Sequence, residues 1–190
     1  MIDNYFDSEH FTNIDFTKTQ IKKGEYDNCT FTNCNFENIH ASNIQFVECE
    51  FVDCNFSNTI VKNTAFKEVN FKNCKLLGVK FNECDSFLLK FSFDTCQLGF
   101  SSFYQLKIPH TSFYGCSLES VDFTECDLTA TRFTNSDLKQ AIFDNTTLEK
   151  ADFRSAIHFS INPKQNKLKG AKFSRATIDG LLTTFAIEIE

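Results

Sequence analysis

Large apolar side chains return every five residues along most of this chain, a period that belongs to neither a strand nor an α-helix. Stepping by five from Phe6 gives Phe6, Phe11, Phe16, Ile21, Tyr26, Phe31, Phe36, Ala41, Phe46, Phe51, Phe56, Val61, Phe66, Phe71, Leu76 and Phe81. Stepping by five from Phe93 gives Phe93, Leu98, Phe103, Ile108, Phe113, Leu118, Phe123, Leu128, Phe133, Leu138, Phe143, Leu148 and Phe153. That series resumes in phase at Leu168, Phe173 and Ile178. The two registers differ by two residues, so the chain rephases between Cys84 and Phe93. An amphipathic helix is excluded, because a five-residue step turns about 500° and scatters the apolar positions round the cylinder.

A longer period lies beneath the first. Residues 21, 41 and 61 are Ile, Ala and Val, the smaller members of a mostly aromatic series, and they stand twenty apart. The columns 6, 26, 46, 66 and 11, 31, 51, 71 and 16, 36, 56, 76 between them are almost wholly aromatic. Four five-residue units therefore close one turn, each unit a short extended side with a corner. Successive turns pair like strands about 4.8 Å apart, so the stretch up to Phe153 winds roughly seven to eight square coils, a rod ~35–40 Å tall. The expected core includes Phe31, Phe36, Phe51, Phe56, Phe71, Phe123, Phe133 and Phe143, each stabilising by about 1.5–3 kcal/mol on burial. Cohesion in such a solenoid is between neighbouring coils.

The composition follows from one position being filled repeatedly: 24 Phe, no Trp and nine Cys in 190 residues. Every cysteine (29, 34, 49, 54, 74, 84, 96, 116 and 126) falls two residues before a series position. Elsewhere that slot holds Thr59, Thr64, Val69, Val79, Ser101, Thr111 and Val121, so it selects a small side chain, and Cys is a small hydrophobe that buries well. A zinc site would want paired ligands two to four residues apart. The sequence has no C-x2-C, and His10, His40, His110 and His158 lie apart. No metal or cofactor is expected.

Units such as VDFTECDLTATRFTNSDLKQAIFDNTTLEKADF (121–153) resemble the pentapeptide-repeat family, whose unit is a small residue, Asp or Asn, Leu or Phe, then two polar residues. The likeness spans residues 4–155 and again 168–180. It implies an all-β fold, a right-handed quadrilateral parallel β-helix with a short C-terminal helix and strand as a cap. The expected organisation is a repeat domain over 1–153, an irregular loop over 154–167 containing Pro163, and a final segment over 168–190 holding the last repeats.

The tail GLLTTFAIEIE is either a cap folded back on its own coil or a two-fold dimer contact. The resemblance to topoisomerase-binding members of the family favours a homodimer through Leu181, Leu182, Phe185, Ile187 and Ile189.

Charge is unevenly spread. From Gly24 to Ile60 there are six acids (Glu25, Asp27, Glu37, Glu48, Glu50 and Asp53) and no Lys or Arg. The twenty-residue rule puts all but Glu37 on two adjacent sides. Lys164, Lys167, Lys169, Lys172 and Arg175 form a basic patch near the end. A net charge of −6 argues against non-specific nucleic-acid binding. No apolar run approaches the roughly 18 residues of a membrane span. The polar, acidic start MIDNYFDSEH and the thiol-rich composition point to the cytoplasm.

No catalytic constellation emerges, so an enzyme is not expected. The sequence is similar to the Qnr and MfpA branch of the family. That similarity implies a DNA mimic binding DNA gyrase or topoisomerase IV and protecting it from fluoroquinolones, with Glu25, Asp27, Glu48, Glu50 and Asp53 as the acidic face. The alternative is a structural or interaction solenoid with a different protein partner. Many Qnr members carry two loops projecting from the coils, whereas here the first half runs without interruption.

Overall fold

The twenty-residue period becomes a parallel β-solenoid. The computed structural model describes residues 4–185 and 187. On the first side of the coil, β1 (Tyr5–Asp7), β3 (Glu25–Asp27), β5 (Gln45–Val47) and β7 (Ala65–Lys67) form a parallel sheet. On the second, β2 (His10–Thr12), β4 (Thr30–Thr32), β6 (Glu50–Val52), β8 (Val69–Lys72), β9 (Phe91–Asp94) and β10 (Ser112–Tyr114) form another. The third and fourth sides are turn-like and joined by single parallel bridges. One such column runs Asp15, Asn35, Asn55, Lys75, Gln97, Ser117, Asp137, Ile157.

The inward rings stack along each side and meet edge-on round the corners. Phe31 lies 4.8 Å from Phe51 with the planes 15° apart, while Phe51 meets Phe56 at 5.0 Å and 89°. The upper coils repeat this: Phe113 stacks on Phe133 at 5.3 Å, and Phe123 meets Phe133 nearly perpendicular. Both arrangements suit the ring quadrupole. All eight core phenylalanines named from the sequence are buried, Phe143 being the most accessible at 6%.

Three local devices make the square. The residue two after most inward side chains takes φ near +50 to +63°, a region where Asn is tolerated best, and Asn13, Asn28, Asn33, Asn38, Asn43, Asn58, Asn63 and Asn73 occupy it. On many turn-like sides, an Asp or Asn just before the ring accepts the N–H two residues on. Examples are Asn35 from Glu37 at 3.1 Å, Asp122 from Thr124 at 2.9 Å and Asp137 from Lys139 at 3.0 Å. The small slot also carries a hydrogen bond. Thr64 Oγ1 donates to the Ala41 carbonyl at 2.6 Å, Ser136 Oγ to Phe113, and Cys54 Sγ to Phe31 at 3.4 Å. Seven of the nine cysteines (29, 34, 49, 54, 74, 96 and 116) come two residues after the end of a strand, where the thiol reaches the carbonyl of that last strand residue. The slot is thus more than a gap for a small group.

The change of register is visible in the pairing. Ala65 still pairs twenty ahead with Asp85, but Phe71 pairs with Phe93 and Lys75 with Gln97, twenty-two ahead. Ser86, which should be inward, is exposed, and Phe91 takes the vacated core place against Phe81 and Phe103. Asp85 starts the outward turn by accepting the Phe87 N–H at 2.9 Å, and Leu88 takes φ of +56°.

Within 154–167 the ladder continues as far as Ile157, which pairs with Asp137. Beyond it Phe159 and Ile161, not His158 and Pro163, enter the core. Buried Asn166 accepts the Thr146 N–H and donates to the Phe143 carbonyl, before Lys167 rejoins the ladder on Thr147. After the last repeats come a 3-10 helix over Arg175–Leu181, capped by the Ser174 hydroxyl, and a second over Thr183–Phe185. Ile178, in phase with the inward series, is 43% exposed because the solenoid has already given way to the helix. Gly180 is pressed onto Phe159: a Cβ there would stand 2.4 Å from the Phe159 carbonyl oxygen. The helical part of the expected cap is present as 3-10 turns. Phe185 is in one of them.

Candidate functional site

The five acids singled out from the sequence occupy two neighbouring coils. Glu25 and Asp27 lie at the two ends of β3, Glu50 opens β6, and Glu48 and Asp53 sit at corners with φ of +51° and +56°. The alternation of β-strands turns the central ring, Tyr26 in β3 and Phe51 in β6, inward and its neighbours out. Glu48, Glu50 and Asp53 are exposed, whereas Glu25 and Asp27 are half-buried between adjacent coils.

The five do not stack on one another. Glu25 lies between Tyr5 and Gln45, Asp27 between Asp7 and Val47, and Glu50 between Thr30 and Asn70. Two of them also have internal work. Asp27 accepts the Tyr5 hydroxyl at 3.0 Å, a bond that holds the phenol above its ordinary pKa, and Asp53 accepts the Asn73 side-chain amide. Glu25, Glu48 and Glu50 make no side-chain hydrogen bond or ion pair among the described residues. Sequence reasoning places the five acids on two adjacent sides but does not show this division of labour, since Tyr5 and Asn73 are 22 and 20 residues from their acids.

The next coil turns basic. Lys67 donates to Gln45 at 3.1 Å, and Lys90 reaches Glu68 at 3.3 Å. Near the C-terminal end, Lys172 pairs with Asp152 in the ladder, and the Lys164 ammonium stands 5.3 Å from the Phe185 ring centroid. The basic patch therefore partly offsets neighbours on its own solenoid.

Of the five residues proposed for a dimer contact, Leu181 packs on the core and Leu182 is half-buried, while Phe185 and Ile187 are exposed. Ile189 lies outside the described residues. The segment folds back on its own coil, with Ile161 N–H donating to the Gly180 carbonyl at 2.9 Å. It still leaves Ile178, Phe185 and Ile187 as an apolar remainder.

All nine cysteines carry free thiols, eight of them buried; Cys84, assigned inward from the sequence, is only half-buried beside the outward turn. Burial pushes the Cys49 thiol up to about 12, and burial with the Asp85 carboxylate beside it does the same for Cys84. Such thiols are poor nucleophiles. Among the described residues no three His, Cys, Asp or Glu side chains gather as a metal site would require, and no helix is long and apolar enough to cross a membrane.

Comparison with known proteins agrees with this geometry. The model of the pentapeptide repeat region matches residues 24–91 and 79–153. Among solved structures, a trypsin-treated variant of QnrB1, described as a plasmid-mediated fluoroquinolone resistance protein, superposes with a TM-score of 0.72 at 12% identity. The match covers 98% of this chain and 92% of that one. Full-length QnrB1 gives a TM-score of 0.54 at 17% identity, covering 97% and 100%. HetL, a pentapeptide repeat protein from the cyanobacterium Nostoc, gives 0.42 at 13%, covering 89% and 86%. No curated protein sequence matches.

Proposed function

Since the chain belongs to the pentapeptide-repeat family, we propose that it is a DNA mimic that binds a type II topoisomerase, DNA gyrase or topoisomerase IV, and shields it from fluoroquinolones. The observation that carries this reading is the set Glu25, Glu48 and Glu50: carboxylates on adjacent sides of a stiff rod, without partners among the described residues. A basic cleft built for duplex phosphates offers Lys and Arg to such a surface, and a preformed array loses little entropy on docking. The end-to-end superposition on a fluoroquinolone resistance protein supports the same reading. In this proposal the protein acts in the cytoplasm as a homodimer joined through Leu182, Phe185, Ile187 and Ile189, contacts protein rather than nucleic acid, and catalyses nothing.

The test is gyrase supercoiling in the presence of ciprofloxacin. Rescue of supercoiling, or its inhibition without drug, is expected at low micromolar protein. Reversing Glu25, Glu48 and Glu50 to Lys should abolish the effect while leaving circular dichroism unchanged. An active triple variant would refute the acidic face, and inactivity of the parent on both enzymes would refute the partner. A second reading, docking to a different protein, draws on Phe87 and Leu88. They project from the outward turn at 66% and 65% exposure, an adjacent apolar pair that a lone solenoid has no reason to present.

A further inference from the structure

The register shift opens the wall of the solenoid. On the first side, coils are normally tied by backbone bonds such as Asp127 N–H to the Leu106 carbonyl and Thr147 N–H to Cys126. Residues 85–90 make no backbone hydrogen bond to residues 107–110. Lys90 instead donates back to Phe66, and Pro109 has no N–H to offer. The resulting slot has a volume of about 450 Å³, within the range of small-ligand sites. Its floor is apolar, with Val69 and Phe91 buried beneath and Leu89 and Pro109 at the walls.

Four charged or titratable side chains line it: Glu68, Lys90, His110 and Arg132. Glu68 and Lys90 pair with each other at 3.3 Å. Arg132 has no ion pair or side-chain hydrogen bond among the described residues. It stands between Ser112 and Asp152 in the column Asn70, Ser92, Ser112, Arg132, Asp152 on the second side. Ser92 donates to Asn70 at 2.5 Å, while the Ser112 hydroxyl has no partner among the described residues. The slot therefore joins an apolar floor to a guanidinium that makes no ion pair among the described residues and to an adjacent hydroxyl.

We propose that this slot binds an aliphatic carboxylate: its hydrocarbon part rests on Val69, Leu89, Phe91 and Pro109, and its carboxylate takes the Arg132 fork and the Ser112 hydroxyl. Guanidinium–carboxylate pairing is bidentate and directional, which selects carboxylate over a neutral amide. The same chemistry is offered by a small free acid or by the C-terminal leucine of a peptide, and the experiment separates them.

The full chain, labelled with nitrogen-15, is titrated with 4-methylpentanoate, with 4-methylpentanamide, with acetyl-glycyl-leucine and with inorganic phosphate. Saturable amide shifts confined to residues 68–70, 89–92, 110–112 and 132 are expected for a carboxylate, at least about tenfold tighter than for the amide. Preference for acetyl-glycyl-leucine identifies a peptide terminus, and preference for the free acid a small molecule. Arg132→Gln should weaken binding about tenfold with shifts elsewhere unchanged, and Arg132→Lys should restore part of it. The proposal falls if no ligand saturates, if the amide binds as well as the acid, or if phosphate binds equally.

Discussion

In the coils up to Lys72 the left-handed corner is held mostly by asparagine, whereas beyond Phe91 it falls to Phe100, Gln105, His110, Glu125, Ala130, Gln140 and Lys150 as well as Asn135 and Asn145. Corners bond between coils in both regions, Asn33 Nδ2 to Asn13 Oδ1 at 2.6 Å early and Gln105 Nε2 to Glu125 at 2.7 Å late. The early coils have strands on two sides; the later ones, after β10, are bridges and turns, many set by an Asp before the ring. Yet the stacking distances hardly differ, 4.8 Å for Phe31 on Phe51 and 5.3 Å for Phe113 on Phe133. The inward ladder sets the cross-section, and the backbone between rings reaches it by whichever local route its polar residues allow.

That comparison can be broken most sharply at the rings. Phe51→Ala and Phe133→Ala should each cost about 3–5 kcal/mol, because a buried ring leaves both lost transfer energy and a cavity. Urea unfolding would measure both. If Phe133→Ala costs under about 1 kcal/mol, the ladder is not what holds the later coils. A smaller effect separates the corners. Ala130→Gly should stabilise by about 1 kcal/mol, since Ala pays for a left-handed φ that glycine adopts readily. The same change at Asn33 should gain nothing and lose its bond to Asn13. A thermal midpoint that falls for Ala130→Gly would contradict the corner account.

The smallest expected effect lies in the acid limb of stability. The Asp15 carboxyl is held down at about 2 by the Thr17 hydroxyl and then by Lys18, and Asp152 is lowered chiefly by Arg154. A carboxyl depressed on folding stabilises fully above its unfolded value, near 3.9, and loses that contribution as pH falls through the folded value. Replacing either by Asn should lower stability near neutrality and leave it little changed below about pH 2, which flattens the decline between about pH 4 and 2. An unchanged acid limb would show that these turns are held without the charge.

The five-residue series already implied the phenylalanine ladders, the four-sided coil and the two-residue rephasing, because each is a statement about period alone. The position of the five acids on two adjacent sides was legible for the same reason, as place on the coil follows from counting by twenty. The tie between Asp27 and Tyr5 was not, nor was the bond from each buried thiol to a carbonyl of the neighbouring coil, since both depend on atoms a full coil away. Phe91 replacing Ser86 in the core, and Phe159 with Ile161 replacing His158 and Pro163, also escaped the pattern: where the period fails, the nearest ring that reaches the vacancy fills it.

Sequence alone determined which side chains face inward and how often the chain turns, since a repeated spacing admits one stacking that buries them all. Only the tertiary structure decided where the wall parts between Lys90 and Pro109, and which carboxylates remain without partners. Those outcomes depend on the fit of one coil against the next, and no residue carries that information by itself.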